Sequence, residues 1–139
     1  MIATAAAEVG VRRPWLAPAL VAAGALGAGL YVAAVDPSEA GHYPTCPVRA
    51  LTGLACPGCG STRAMHALAH LDLGAAVGFN VLAVVALPVL AFMWFRWTAR
   101  RLGHGAPPRA APRAIWILAA VVVGFTVLRN LPAGAFLSP

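Results

Sequence analysis

Three long apolar runs divide this chain. Trp15 to Val35 is 21 residues without a charge, Val77 to Phe95 is a run of 19, and Ile115 to Leu128 is a run of 14. A hydrocarbon core about 30 Å thick takes about 20 residues of helix to cross. The first two runs therefore predict transmembrane helices as they stand. The third reaches spanning length when Ala110 and Ala111 before it and Leu131 to Leu137 after it are added. The expected spans are about 15–35, 77–97 and 112–131, in a single membrane domain covering residues 1–139. Trp15 and Tyr31 lie near the ends of the first span and Trp94, Phe95 and Trp97 end the second, where amphipathic rings favour the membrane interface. The first run also has features of a signal peptide, with Arg12-Arg13 before it and Val32-Ala33-Ala34 inside it. It exceeds the roughly 7–15 residues of a signal hydrophobic region, which predicts an uncleaved helix.

Small residues recur four apart in the first run, as Ala23/Gly27, Gly24/Ala28 and Ala25/Gly29. Such a face lets another helix approach closely, whether from this chain or from another membrane protein. The second run carries Asn80 near its start and Pro88 in its middle, and the proline predicts a kink. Arg129 closes the third run. It either snorkels to the interface or pairs with Asp36 or Asp72.

The connectors differ in kind. Residues 98–113 are basic and rich in Pro and Gly, and read as a loop. The connector from Asp36 to Ala76 holds all three cysteines and three of the four histidines. Within it Ser61 suits a helix N-cap, and nothing breaks the helical pattern that follows. A short helix over about 61–72 is expected, with Ala64, Met65, Ala67, Leu68 and Leu71 on one side and Thr62, Arg63, His66 and His70 on the other. Such a helix lies at the interface or caps the bundle. The fold class is all-α: an integral membrane protein of three transmembrane helices plus one short amphipathic interfacial helix.

Composition agrees with a membrane protein and adds an orientation. The chain is 60% hydrophobic and 10% charged, against about 25% charged residues in soluble domains. The net charge of +6 comes from arginine. Arg96, Arg100, Arg101, Arg109 and Arg113 cluster between two spans, as in a cytoplasmic loop, so no nucleic-acid partner is expected. Two more arginines precede the first span. The positive-inside rule then puts the N-terminus and the basic loop in the cytoplasm, with the cysteine connector outside. The bilayer is the expected partner.

The candidate chemistry is concentrated in Cys46 and in Cys56-Pro57-Gly58-Cys59-Gly60-Ser61-Thr62-Arg63. Arg63 falls in a first helical turn, where the helix dipole disfavours a cation unless an anion, thiolate or carbonyl accompanies it. The cysteines have three readings. They form a structural corner shaped by a disulfide or a tight turn. Alternatively, Cys46, Cys56 and Cys59 with His66 and His70 are ligands of a zinc ion, although six residues between Cys59 and His66 is short for that grammar. In the third reading the Cys-Pro-Gly-Cys pair is redox-active. The structural reading comes first, and the odd cysteine count puts metal ahead of redox. No Gly-x-Ser-x-Gly, phosphate loop or paired carboxylate suggests a hydrolytic enzyme.

These same residues carry a resemblance. Cys46-Pro47, Leu51-Thr52-Gly53, Cys56 to Arg63, then Asp72-Leu73 and Asn80, resemble a domain-of-unknown-function family of small bacterial membrane proteins, marked by a CPxCGxTR motif between hydrophobic helices. The resemblance covers roughly Cys46 to Pro88. It implies a multi-pass protein of the bacterial inner membrane and carries no activity. Two functions follow as expectations: a structural or interaction subunit with a Cys-rich extracytoplasmic loop, or a zinc-binding or thiol-redox protein acting at the outer membrane face.

Overall fold

A computed structural model describes residues 13–39, 41–44, 46–105, 111–132 and 134. The polar lead through Arg12, the loop residues 106–110 with Arg109, and residues 135–139 with Leu137 lie outside the described residues. Five helices follow in order: α1 (Leu16–Ala34), α2 (Pro47–Thr52), α3 (Ser61–Ala69), α4 (Leu73–Arg101) and α5 (Pro112–Arg129). The described residues contain no strand. Helices α1, α4 and α5 are each long and apolar enough to cross a membrane. Their large side chains are mostly exposed, as with Leu26, Leu30, Phe92, Ile115 and Trp116, which fits a lipid bilayer as their surroundings.

Helix α4 is two helices in series. Asn80 has extended backbone geometry (φ −164°, ψ 94°). Its side-chain oxygen accepts the Ala83 N–H at 3.0 Å, so Asn80 caps a new helix three residues before that donor. The spanning part is then residues 81–101, which run through Pro88. The interruption therefore falls at Asn80, while Pro88 lies in helical backbone. A membrane helix absorbs a proline when neighbours satisfy the freed carbonyl. Asn80 breaks the helix because its amide has other partners, described below.

The short amphipathic helix ends earlier than its polarity pattern suggests. α3 stops at Ala69, and Leu71, 91% exposed, adopts a left-handed conformation at φ +62°. The Leu71 N–H donates to the Leu68 carbonyl and the Asp72 N–H to the Ala67 carbonyl, at 3.0 and 2.9 Å. This is a Schellman stop with leucine where glycine is usual. Asp72 then caps α4 by accepting the Ala75 N–H at 2.9 Å. The tight turn presses α3 back along α4, burying Ala64 and Ala67 of α3 and Ala76 of α4.

Helix α3 also packs on α1, and α1 and α4 themselves touch little. α3 is thus a wedge between two spans. Below it lies an open apolar cleft of about 470 Å³, lined by Ala25, Ala28 and Gly29 of α1, Met65 and Leu68 of α3, and Leu87 of α4. Three glycines of α1 have open space beside them among the described residues: a Cβ built on Gly24, Gly27 or Gly29 would meet nothing within 4 Å. The Trp94 indole of α4 donates to the Pro18 carbonyl of α1 at 3.3 Å. Helix α5 makes little helix–helix contact and is tied in through its C-terminal end.

Candidate metal centre

The residues around the cysteines begin with two short turns. Pro47 opens α2 at its first position, where a missing N–H costs nothing. This sets Cys46 as the N-cap. Gly53 ends α2 with left-handed geometry at φ +72°. Residues 54–60 then fold into a loop closed by the Cys59 N–H on the Cys56 carbonyl and the Ser61 N–H on the Gly58 carbonyl, at 3.0 and 3.1 Å. Gly60 caps α3 at φ +80°, ψ −1°, a conformation that favours glycine. Ser61, the expected cap, is instead the first residue of α3.

These turns bring Cys46, Cys56 and Cys59 together. Cys56 Sγ is 3.4 Å from both Cys46 Sγ and Cys59 Sγ, and all three sulphurs lie within 4.8 Å of one another. All three are free thiols. Cys59 is buried at 6% exposure, while Cys46 and Cys56 are half-buried. Zinc–sulphur bonds of about 2.3 Å in a tetrahedron put sulphurs about 3.8 Å apart, so the observed spread suits one soft ion. The environments differ. The Arg49 backbone N–H, then the Cys56 thiol, hold the Cys46 thiol down to about 7, whereas burial, then the Cys56 thiol, push Cys59 up to about 11.

Three side chains from two distant segments hold the loop. Asn80, 1% exposed, directs its amide nitrogen to the Pro57 carbonyl, the Cys59 carbonyl and the Ser61 hydroxyl, at 2.9, 3.0 and 3.1 Å. From the end of α5, Arg129 Nη1 donates to the Cys56 and Cys59 carbonyls at 3.0 and 3.1 Å. Its guanidinium also lies 5.0 Å from the centre of the Phe125 ring. Asn130 reads the Ala55 peptide on both sides: it accepts the Ala55 N–H and donates to the Ala55 carbonyl, each at 2.8 Å. Arg129 is 1% exposed. Neither snorkelling nor a carboxylate partner is needed to explain its place, because two loop carbonyls receive its donors. Residue spacing carried no sign of these contacts. The available signal was polarity itself: an Asn and an Arg inside apolar runs are costly in a membrane and mark functional positions.

The histidines lie elsewhere. His66 is half-buried, with Nδ1 2.7 Å from the Val32 carbonyl of α1. Nδ1 of His70 is 2.9 Å from the His66 carbonyl, and the two rings are 4.4 Å apart. His66 joins α3 to α1 and His70 bonds back onto α3, and the donor cluster among the described residues is the cysteine trio. Arg63 is exposed on the first turn of α3 and Thr62 beside it is half-buried. Pro57 and Gly58 form the turn between Cys56 and Cys59, and Pro57 supplies a carbonyl to Asn80.

Residues 46–94 match the family model described as Protein of unknown function (DUF2752), a stretch that contains all three cysteines, α2, α3 and most of α4. No curated protein and no solved structure matches the chain.

Proposed function

We propose that this protein is a small multi-pass membrane protein whose cysteine loop binds a soft metal ion. The observation that carries the reading is the gathering of three free thiols within 4.8 Å, one of them buried, on a loop braced by three side chains. Thiolates select zinc, monovalent copper and iron–sulphur centres, and zinc is the ion to test first. The arginine distribution supports a cytoplasmic N-terminus and basic loop, with the cysteines on the extracytoplasmic face. The resemblance noted above supports a bacterial inner membrane. The exposed small-residue stripe of α1 suits contact with another membrane protein.

The test is metal analysis of protein purified without chelator, paired with thiol titration. About one zinc per chain is expected, lost on Cys56→Ser or Cys59→Ser. No stoichiometric metal, with three titratable thiols in the purified protein, overturns the reading.

A structural corner is the second reading, favoured because Asn80, Arg129 and Asn130 shape the loop through hydrogen bonds to its backbone and Ser61, not through sulphur. Under it the two serine variants fold and associate as the wild type does. Loss of fold in both variants, or in the wild type on metal removal, would refute it.

A further inference from the structure

Cys56 is the middle sulphur of the trio. Its Sγ lies 3.4 Å from Cys46 Sγ and 3.4 Å from Cys59 Sγ. Two disulfides are therefore within reach, and each would use Cys56. Bonding brings two sulphurs from that contact to about 2.0 Å, so one partner has to move toward the other.

The backbone decides which partner moves. Arg129 holds the carbonyls of both Cys56 and Cys59, and Asn80 holds the Cys59 carbonyl as well. The Cys59 N–H closes the turn on the Cys56 carbonyl, and Asn130 bonds the Ala55 peptide on both sides. Cys46 instead caps α2, whose six residues are all exposed. A small shift of α2 toward Cys56 displaces no packed side chain. Access points the same way. A disulfide arriving from outside must meet a thiol it can reach. Cys59 is 6% exposed, whereas Cys46 and Cys56 are half-buried. Approach is widest at Cys46, since the chain beyond it is exposed from Pro47 to Leu54.

We infer that the metal-free trio is an exchange site for small-molecule disulfides, in which Cys46 and Cys56, rather than the Cys-Pro-Gly-Cys pair, are oxidised and Cys59 stays a thiol. The Cys46 thiolate, its proton given to solvent, attacks one sulphur of the incoming disulfide. The bond between the two incoming sulphurs breaks, one leaves as a thiolate, and a mixed disulfide forms on Cys46. Cys56, also deprotonated by solvent, then attacks Cys46 Sγ and expels the second. Contact between the two sulphurs makes this step unimolecular. The chain's two thiols lose two electrons, and the external disulfide gains them and leaves as two thiols. The proposed extracytoplasmic placement puts the loop on an oxidising side, where such disulfides persist. The inference rests on the metal reading for its control: a bound ion occupies the attacking thiolates, and the disulfide removes two of the three ligands, so each state excludes the other.

The experiment uses the full chain in detergent, reduced, then either freed of metal by a chelator or loaded with Zn²⁺. Glutathione disulfide is the oxidant. Remaining thiols are alkylated after denaturation, and the bonds are mapped by mass spectrometry. Metal-free wild type should yield Cys46–Cys56, with Cys59 recovered alkylated. Cys59→Ser should form the same bond at the wild-type rate, and Cys56→Ser should stop at a glutathione adduct on Cys46. Cys46→Ser should form Cys56–Cys59 roughly tenfold more slowly, since buried Cys59 reacts only when the loop opens. Mainly Cys56–Cys59 in the wild type, or a persistent glutathione adduct there, overturns the inference whatever the variants do. With Zn²⁺ bound, oxidation should slow, and a chromogenic chelator should detect zinc released as the disulfide forms. Zinc retained by the oxidised chain overturns the mutual exclusion. Cys46–Cys56 forming equally fast with and without Zn²⁺ refutes the metal reading and supports the dithiol. Zinc binding without Cys46–Cys56 formation in the metal-free chain refutes the dithiol alone.

Discussion

Replacing Asn80 separates its two tasks. Its oxygen caps the spanning part of α4 through Ala83, and its nitrogen holds the carbonyls of Pro57 and Cys59. Loss of an Asn cap costs about 1 kcal/mol. Loss of each interior hydrogen bond costs about 1 kcal/mol, less at Cys59, whose carbonyl keeps Arg129. Asn80→Ala should therefore destabilise the loop and its junction with α4 by about 2–3 kcal/mol. Asn80→Asp keeps the cap acceptor but replaces the donor with an oxygen facing two carbonyls, so it should do no better than alanine. Cys59 gives the readout, because at 6% exposure it reacts only when the loop opens. With a chelator present, its alkylation should accelerate roughly 30–150-fold in both variants, tenfold corresponding to about 1.4 kcal/mol. If Asn80→Asp protects Cys59 as well as the wild type does, the cap is the whole of Asn80's role and the bracing argument fails.

Other consequences are simpler to check. Leu71 is exposed at φ +62° and stops α3, so Leu71→Gly should raise stability against SDS by about 1 kcal/mol; a loss of stability would contradict the Schellman assignment. Gly60→Ala puts a side chain at φ +80° and should cost about 1–2 kcal/mol, seen as faster Cys59 alkylation. In metal-free protein Cys46 should reach half its maximal alkylation rate near pH 7, its thiolate favoured by the Arg49 N–H, while buried Cys59 stays unreactive through neutral pH; equal titration of the two would be inconsistent with their different surroundings. An impermeant thiol reagent applied to intact, reduced cells should reach Cys46 or Cys56. Labelling only after permeabilisation would reverse the proposed orientation.

The spanning helices were legible because membrane insertion is a local demand. About 20 consecutive apolar residues suffice, whatever they pack against. The short helix was legible from its alternation of Ala and Leu with His and Arg, though its end was not. Leucine gives no stop signal, and the turn at Leu71 exists because Asp72 begins the next helix at once. Pro88 drew attention as a breaker because its effect on a helix is intrinsic. Asn80 did not, because an asparagine interrupts a helix only when tertiary partners reward it.

The cysteine loop shows the same division. Its glycines, prolines and thiols mark it in the sequence as the place where chemistry concentrates, since turn geometry and sulphur reactivity belong to the residues themselves. Which of five candidate ligands converge was a tertiary matter. The sulphurs of Cys46 and Cys56, ten residues apart, meet because α2 folds between them, while His66 turns toward α1 and His70 back onto its own helix. Arg129 and Asn130 lie seventy or more residues from the loop residues they hold. Hydrophobic length makes α5 long and apolar enough to cross a membrane, but only the folded chain brings its polar end to the backbone of the cysteines, because that contact depends on where three helices end.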